Sequence, residues 1–412
     1  MWNMDIAGLR EYAGATNRTL EIKEIPNFIN QTHRRCRRRA CNQSFSHSQH
    51  TKFHLPSSSL FIDYCNHLVN AHDLERLIQK GKVIELQPAN VQEPNSGFIV
   101  SISDGSTLQT VYAKHVVCAI GHGNTLRYPG WVHRAIPPSG VIPWPKDRLL
   151  HSSKLVDHNL LGNTHSQPST IPSNNNLLVV GGGLTSGHLL KYAQQKFTHT
   201  LFTTRSNLRT KHFDVSLDWI SQNGAALYAS FYQKTPEERW NMIQTAREGG
   251  SINPPMAEWI RNAQKEGWLG VKERVHVTQA IWRPDQELFE IHLSDQTIEF
   301  VHSIWLSTGT TIDVNEDALF RNLLTSIPIE TFNGYPCLTK DLRWHPDYPL
   351  YVMGGYAALE VGPNALNLAG GKIAAEIIAG NLESEWEDDV DIDLQQGISG
   401  NCLNMYDILS QE

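Results

Sequence analysis

Leu177-Leu178-Val179-Val180 runs directly into Gly181-Gly182-Gly183, and Leu184 to Leu190 continue as a helix pattern. An apolar strand that enters glycines and leaves as a helix belongs to an α/β layer, with the helix packed back on the strand. Gly181 permits the tight turn. Gly183 leaves room for the main chain to approach a phosphate, and the N-terminus of the following helix brings free N–H groups to the same point. Small residues at the third position, Ser186, or Gly187 if the turn is read one residue longer, allow close helix–strand packing. The pattern is that of a dinucleotide-binding βαβ unit. Its second strand, HTLFTTR, ends at Arg205, 24 residues after Gly181. An acidic residue there would hold a ribose 2′-hydroxyl, whereas an arginine suits a 2′-phosphate, so the expected cofactor is NADP(H) rather than NAD(H). Arg209 and Lys211 add charge nearby. The competing reading is a ligand-free βα turn with a surface arginine.

At 412 residues the chain is long enough for two or three domains. Hydrophobic residues make up 40% and charged residues 19%, the balance of a globular protein rather than a disordered or fibrous one. The net charge of −7 argues against a general nucleic-acid binder. No apolar run approaches the ~18 residues of a spanning helix, and no signal peptide is evident. Six cysteines without a CxxC pair do not form a disulfide framework. These features lead to the expectation of a cytoplasmic protein that acts on a small molecule, with neither nucleic acid nor membrane as partner.

An irregular stretch of 60 residues with an arginine cluster (Arg34 to Arg39) opens the chain. An amphipathic helix is expected over LFIDYCNHLVNAHDLERLIQ, with Leu60, Tyr64, Leu68, Leu74 and Leu77 on one face. Strand-like segments follow, with a hairpin signal at Asp104-Gly105. The segment 162–176 reads as a linker and domain boundary. Two apolar strands end in a small residue and glycine: HVVCAIG at Gly121 and SIWLSTG at Gly309. The segment LYVMGGYAALEVGPNALNLAGGKIAAEII combines a buried strand, a glycine turn at Gly354 and a helix rich in Ala and Gly. A helix N-terminus near Gly362, Pro363 and Asn364 could meet a polar ligand edge. Residues 383–412 read as a solvated acidic tail.

This order resembles the two-dinucleotide-domain flavoproteins, particularly the flavin monooxygenases that include lysine and ornithine N-hydroxylases. HLPSSSLFIDY is similar to their LPS-x-x-x-F-x-x-Y segment, and the two strand-end glycines look like their linkers. The resemblance covers roughly residues 52 to 380. It implies an α/β fold of two Rossmann-like domains, with an NADP-binding domain at 171–302 inserted into an FAD-binding-like domain formed by 1–170 and 303–382. It implies FAD and NADP as cofactors, with hydride passed from NADPH to flavin and then oxygen activation. Gly121, Gly309, Gly354, Gly362 and Asn364 would serve the flavin, and Gly181, Gly183, Ser186, Gly187 and Arg205 the NADP(H).

In one respect the chain departs from that family. Its members begin with a strand and GxGxxG turn for the FAD adenosine diphosphate, whereas the first 60 residues here hold only Gly8 and Gly14 with no apolar strand leading into them. The expectation is a truncated FAD domain with weakened flavin binding, and the alternative function is a catalytically inactive relative that binds NADP(H) or a protein partner. The absent CxxC argues against a disulfide reductase. Cys36, Cys41, His50 and His54 have the wrong spacing for a zinc finger, so no metal is expected. The segment Ala246 to Pro255, ARE-GGS-INPP, reads as a glycine-hinged loop near the nicotinamide, or as a plain surface loop. No catalytic acid or base is identifiable.

Overall fold

The computed structural model describes residues 6–25, 53–121, 125–137, 139–157, 175–220 and 224–396. Strand Asn176–Gly181 lies at the centre of a five-stranded sheet. Its neighbours in order are Leu269–Glu273, His199–Thr204, the central strand, Ser303–Ser307 and Leu149–His151, all paired in parallel. Leu177, Leu178 and Val179 are fully buried in sequence, because layers cover both faces of the sheet. Helices Leu184–Ala193 and Pro254–Lys265 cover one face through Leu189, Leu190, Ala193, Met256 and Ile260. An antiparallel sheet of Val277–Arg283, Leu288–Leu293 and Ile298–Val301 covers the other, together with helix Gly130–Ala135.

The expected boundaries at 171 and 302 cut across this sheet. Strands Leu149–His151 and Ser303–Ser307 lie outside those limits, yet they extend the sheet on one side of the central strand. Ile304, Trp305 and Leu306 are buried, so this strand needs cover on both faces and finds it in the five-stranded sheet. Helices Gly224–Tyr232 and Pro236–Arg247 depart in the opposite sense. Their buried Phe231, Ile243 and Ala246 join Leu359, Val361 and Ala365 of the C-terminal segment rather than the parallel sheet.

In a second, smaller assembly the described residues form two parallel strands, Val116–Cys118 and Leu350–Val352. Beside it stands an antiparallel sheet of Lys82–Pro88, Phe98–Ser103 and Leu108–Ala113. The hairpin expected at Asp104-Gly105 is present. The Asp104 carboxylate accepts from the main-chain N–H groups of Ser106 and Thr107 at 2.8 and 2.7 Å. Phe98, Trp344, Tyr351, Tyr356 and Phe320 form the heart of the core here.

Two local expectations are corrected. The helix expected to run on to residue 79 ends at Ala71, followed by Asp73 at φ 49, and Leu74 and Leu77 are exposed. Only Leu60 and Tyr64 of its apolar face are buried, against Leu9 and Ala13 of helix Ile6–Ala15. Gly8 and Gly14 both lie within that helix rather than in a turn. Residues 383–396, expected as a solvated acidic tail, continue helix Leu368–Gln396. Glu385 there pairs with Arg343 and accepts from the Tyr351 hydroxyl at 3.1 Å, which ties the helix to strand Leu350–Val352. The arginine cluster, Cys36, Cys41, His50, residues 162–174 and residues 397–412 lie outside the described residues. Among the described residues no group of His, Cys, Asp and Glu is placed to hold a metal ion. Nor is any helix there long and apolar enough to cross a membrane.

Candidate functional site: the carboxyl edge of the parallel sheet

In open parallel sheets, ligands sit in the crevice outside the carboxyl ends of the strands where the strand order reverses. Here that point lies between Gly181 at the end of the central strand and Ser307 at the end of its neighbour, which are paired in register. Gly181 has φ 153, and a Cβ on it would lie 2.3 Å from Ser307 Oγ and 2.5 Å from Ser307 O. It lets the two strands and the following helix meet. The Ser307 hydroxyl donates to Val180 O at 3.1 Å, and the buried Ser186 hydroxyl lies 2.8 Å from Ser307 Oγ. Gly187 is also a packing residue, because a Cβ there would lie 2.4 Å from Met256 Cγ on the neighbouring helix. Of the glycine-turn residues expected around a cofactor, Gly181, Ser186 and Gly187 therefore build the turn.

Gly183 is different. It is the N-cap of helix Leu184–Ala193 in extended conformation, with no side chain capping the helix. The nearest atom to a Cβ there is Gly250 Cα at 4.0 Å. The main chain is thus open toward the crevice, and the first N–H groups of a ten-residue helix face it. Arg205 follows strand His199–Thr204 at the same edge, exposed and without a hydrogen bond or ion pair to any described residue. Arg209 and Lys211 are not free. Lys211 Nζ pairs with the Glu248 carboxylate, and the Arg209 guanidinium donates to Glu248 O with its carboxylate 3.9 Å away. Lys211 holds the Glu248 carboxyl below its ordinary range, first by hydrogen bonding and then by charge.

Sequence reasoning missed His151, which ends the edge strand. It is 2% exposed, and its Nδ1 accepts from the Ser153 N–H at 3.3 Å. That leaves Nε2 to donate to Gly309 O at 3.1 Å. Burial lowers its pKa, so the neutral ring is favoured. The signal was the short apolar run Leu149-Leu150 before it, too brief to stand out as a strand.

The second expected locus is assembled and filled by the chain itself. Gly121 and Gly309 both have positive φ, 71 and 77, and a Cβ on either would meet open space. The segments beyond them run side by side as the ribbon Thr125–Leu126 and Thr310–Thr311. Gly121 O accepts from Gly355 N at 2.8 Å, and a Cβ on Gly354 would lie 2.7 Å from that same oxygen. Gly362, at φ 86, backs onto Tyr228, since a Cβ on it would lie 3.0 Å from the ring. Asn364 is buried, and its Nδ2 donates to the Tyr228 hydroxyl at 2.9 Å, while its Oδ1 accepts from Asn367 at 2.8 Å. Burial raises the Tyr228 pKa against the opposing effect of the Asn364 bond. The helix N-terminus expected near Gly362 to Asn364 instead begins at Leu368, where the Asn367 side chain caps it by accepting from Ala369 N and Gly370 N at 3.0 and 3.3 Å.

No protein-family model and no curated relative matches the sequence. Solved structures do resemble it. The ornithine N-hydroxylase of Kutzneria sp. 744, in a complex with reduced FAD, NADP+ and L-ornithine, is 15% identical with a TM-score of 0.62, over 91% of this chain and 82% of that one. The ornithine hydroxylase of Pseudomonas aeruginosa is 14% identical with a TM-score of 0.60, over 80% and 76%. The FAD-bound cadaverine monooxygenase of Erwinia amylovora is 13% identical with a TM-score of 0.56, over 80% and 74%. This chain has the fold of those ornithine hydroxylases and of that cadaverine monooxygenase.

Proposed function

We propose that this protein is an NADPH-dependent FAD oxidoreductase of monooxygenase type. The observation that carries the reading is the open main chain at Gly183, with Arg205, which has no ion-pair partner among the described residues, at the same sheet edge. Gly183 and the helix N-terminus would receive the pyrophosphate, and Arg205 the 2′-phosphate. NADP(H) fits there because a small-residue cradle, free N–H groups and an available cation converge. In this reading the NADP-binding domain is centred on the five-stranded sheet and inserted into an FAD-binding-like domain. A cytoplasmic setting, where NADPH is supplied, goes with it, as does a small-molecule substrate.

For FAD the described residues fit in part. Gly121 and Gly309 leave open space where a side chain would stand, although their carbonyls already accept from Gly355 N and His151, whereas Gly354, Gly362 and Asn364 are packed against or hydrogen-bonded to the chain itself. A bound flavin supplies hydride acceptance and oxygen reactivity. The chain's own residues bind and orient the nicotinamide nucleotide, and the linkers at Gly121 and Gly309 set the two units against each other.

Flavin absorbance of the purified protein, followed by NADPH consumption with FAD added, tests the reading. Flavin bands and FAD-dependent NADPH oxidation support it. A colourless protein that binds NADPH yet stays inert with FAD overturns the enzyme. That outcome favours the second reading, an inactive NADP(H)-binding relative, for which the Tyr228 hydroxyl seated on Asn364 is the specific observation.

A further inference from the structure

The loop that follows helix Pro236–Arg247 crosses the carboxyl edge of the parallel sheet beside the glycine turn. Glu248 ends the helix in left-handed conformation, at φ 53 and ψ 15, and Gly249 continues at φ 84. Gly250 comes against the turn, since a Cβ on it would lie 3.2 Å from both Cα and N of Gly183. The loop is then stitched to the segment after Arg205, with Ile252 N donating to Arg209 O and Lys211 N to Ile252 O, each at 2.9 Å. Ile252 is buried. Glu248 completes the fastening by holding Lys211 through its carboxylate and Arg209 through its main-chain oxygen.

Three cations, Arg205, Arg209 and Lys211, thus stand beside a main chain open to an anion, and one carboxylate engages two of them. We propose that Glu248 is a resident counter-anion on a strap, residues 248–252, that competes with the phosphate groups of an incoming nucleotide for Lys211 and Arg209. The strap sets how tightly the site holds a phosphorylated ligand and favours one with an added phosphomonoester, whose charge can replace the carboxylate. The proposal rests on the reading of the Gly181–Gly183 turn as a nucleotide site. The Glu248 and Arg209 side chains are about half exposed and that of Lys211 is a quarter exposed, so the competition is that of a surface ion pair.

The experiment uses the full chain and E248Q, which removes the charge and keeps the shape. NADPH, 2′,5′-ADP and NADH are each titrated by tryptophan fluorescence, with amide hydrogen exchange of residues 246–256 read without ligand. We expect E248Q to bind NADPH and 2′,5′-ADP about two- to fivefold more tightly at low salt. The gain should shrink at roughly 0.5 M salt, where the Debye length is only ~4 Å. NADH should gain less, and the Ile252 amide should exchange faster. Unchanged or weaker NADPH binding by E248Q, with wild type binding normally, overturns the strap and leaves the nucleotide site standing. Unchanged exchange at Ile252 overturns the claim that Glu248 fastens the loop. Failure of both chains to bind either nucleotide overturns the nucleotide site and the strap with it.

Discussion

At the end of strand Asn176–Gly181 the last glycine of the turn, Gly183, faces space that no described side chain fills. At the end of strand Leu350–Val352 the glycines face the chain itself: Gly354 meets Gly121 O, Gly355 meets Ile312 and Leu366, and Gly362 meets Tyr228. Farther along the same segment, a Cβ on Gly370 would lie 2.2 Å from Asn364 O. Both regions have a strand, glycines and a helix in the same order. They differ in what the rest of the molecule brings to them. The first receives a glycine loop at Gly250, which adds no side chain. The second receives Trp219 and Tyr228 from a segment more than a hundred residues away in sequence. A glycine therefore marks close approach, and only the surroundings decide whether a ligand or the chain itself approaches.

The largest effect should come from a valine at the tightest glycine of the Gly181–Gly183 turn. Gly181→Val puts a branched side chain where Ser307 Oγ and O already stand, at a φ that a β-branched residue rarely adopts. Backbone cannot yield as a side-chain tip can, so the loss should exceed ~3 kcal/mol, at or beyond the usual range for overpacking. Gly183→Ala adds a methyl that reaches only Gly250 Cα at 4.0 Å, an ordinary contact. It should leave thermal unfolding near wild type and weaken nucleotide binding by about 1–3 kcal/mol, through crowding of the pyrophosphate. Thermal melts paired with NADPH titrations check both. Equal stability losses would mean that the two glycines do the same job and would erase the contrast between turn-building and ligand-facing positions.

Next in size is Arg205→Ala. Its guanidinium has no partner among the described residues to lose, so stability should stay within ~0.5 kcal/mol. NADPH binding should weaken by ~1.5–3 kcal/mol, the worth of a hydrogen bond to a charged group, while NADH binding barely changes. Isothermal titration with the two nucleotides measures the difference, and parallel losses would remove the 2′-phosphate from the site.

How much of this was written in the sequence follows from range. The Gly181 turn, its helix and the arginine at the next strand end were legible because strand, turn and helix are contiguous and periodic. The α/β class and the N-hydroxylase-like fold came from the order of such segments. What escaped depended on distant pairing. Nothing local tells that Leu149–His151 joins a strand more than 150 residues later, so the expected limits of 171 and 302 leave out the two strands on one side of the sheet. Ser186 and Gly187 are legible as small residues that let the helix pack closely, but their partners Ser307 and Met256 are not, because both lie far along the chain. The acidic run after residue 383 has the composition of a solvated tail, and distant partners of Glu385, Arg343, Tyr351 and His115, turn its first part into a docked helix.

A smaller effect tests the filled region. Tyr228→Phe takes the hydroxyl from Asn364 Nδ2 and leaves that buried donor with only Trp219 O, at 3.4 Å. The cost should be about 1–3 kcal/mol, the penalty for a buried polar group deprived of its partner. The ring stays in place, so Gly362 remains covered. Chemical denaturation of the variant measures the loss, and a neutral result would mean that the Tyr228–Asn364 contact seals nothing.

The smallest effect concerns the seam between the two regions, where His151 holds Gly309 O. Burial lowers the His151 pKa from its ordinary 6.5. The folded state therefore prefers the neutral ring, in which Nδ1 accepts from Ser153 and Nε2 donates to Gly309. In the unfolded chain the ring protonates at its ordinary value. Over the interval between the two values the unfolded state binds more protons, so stability falls as pH decreases. The contribution is complete above the ordinary value and declines as pH drops through it toward the folded one. His212 and His302 are also lowered by burial, so the wild-type slope is a sum. His151→Gln separates the terms, because its amide N–H can still donate to Gly309 O but does not titrate in this range. Melting temperatures between about pH 7.5 and 5 should therefore decline less steeply in the variant than in wild type. Parallel curves would show that the Gly309 linker is indifferent to the His151 charge, and the open and filled regions would then meet without a titratable joint.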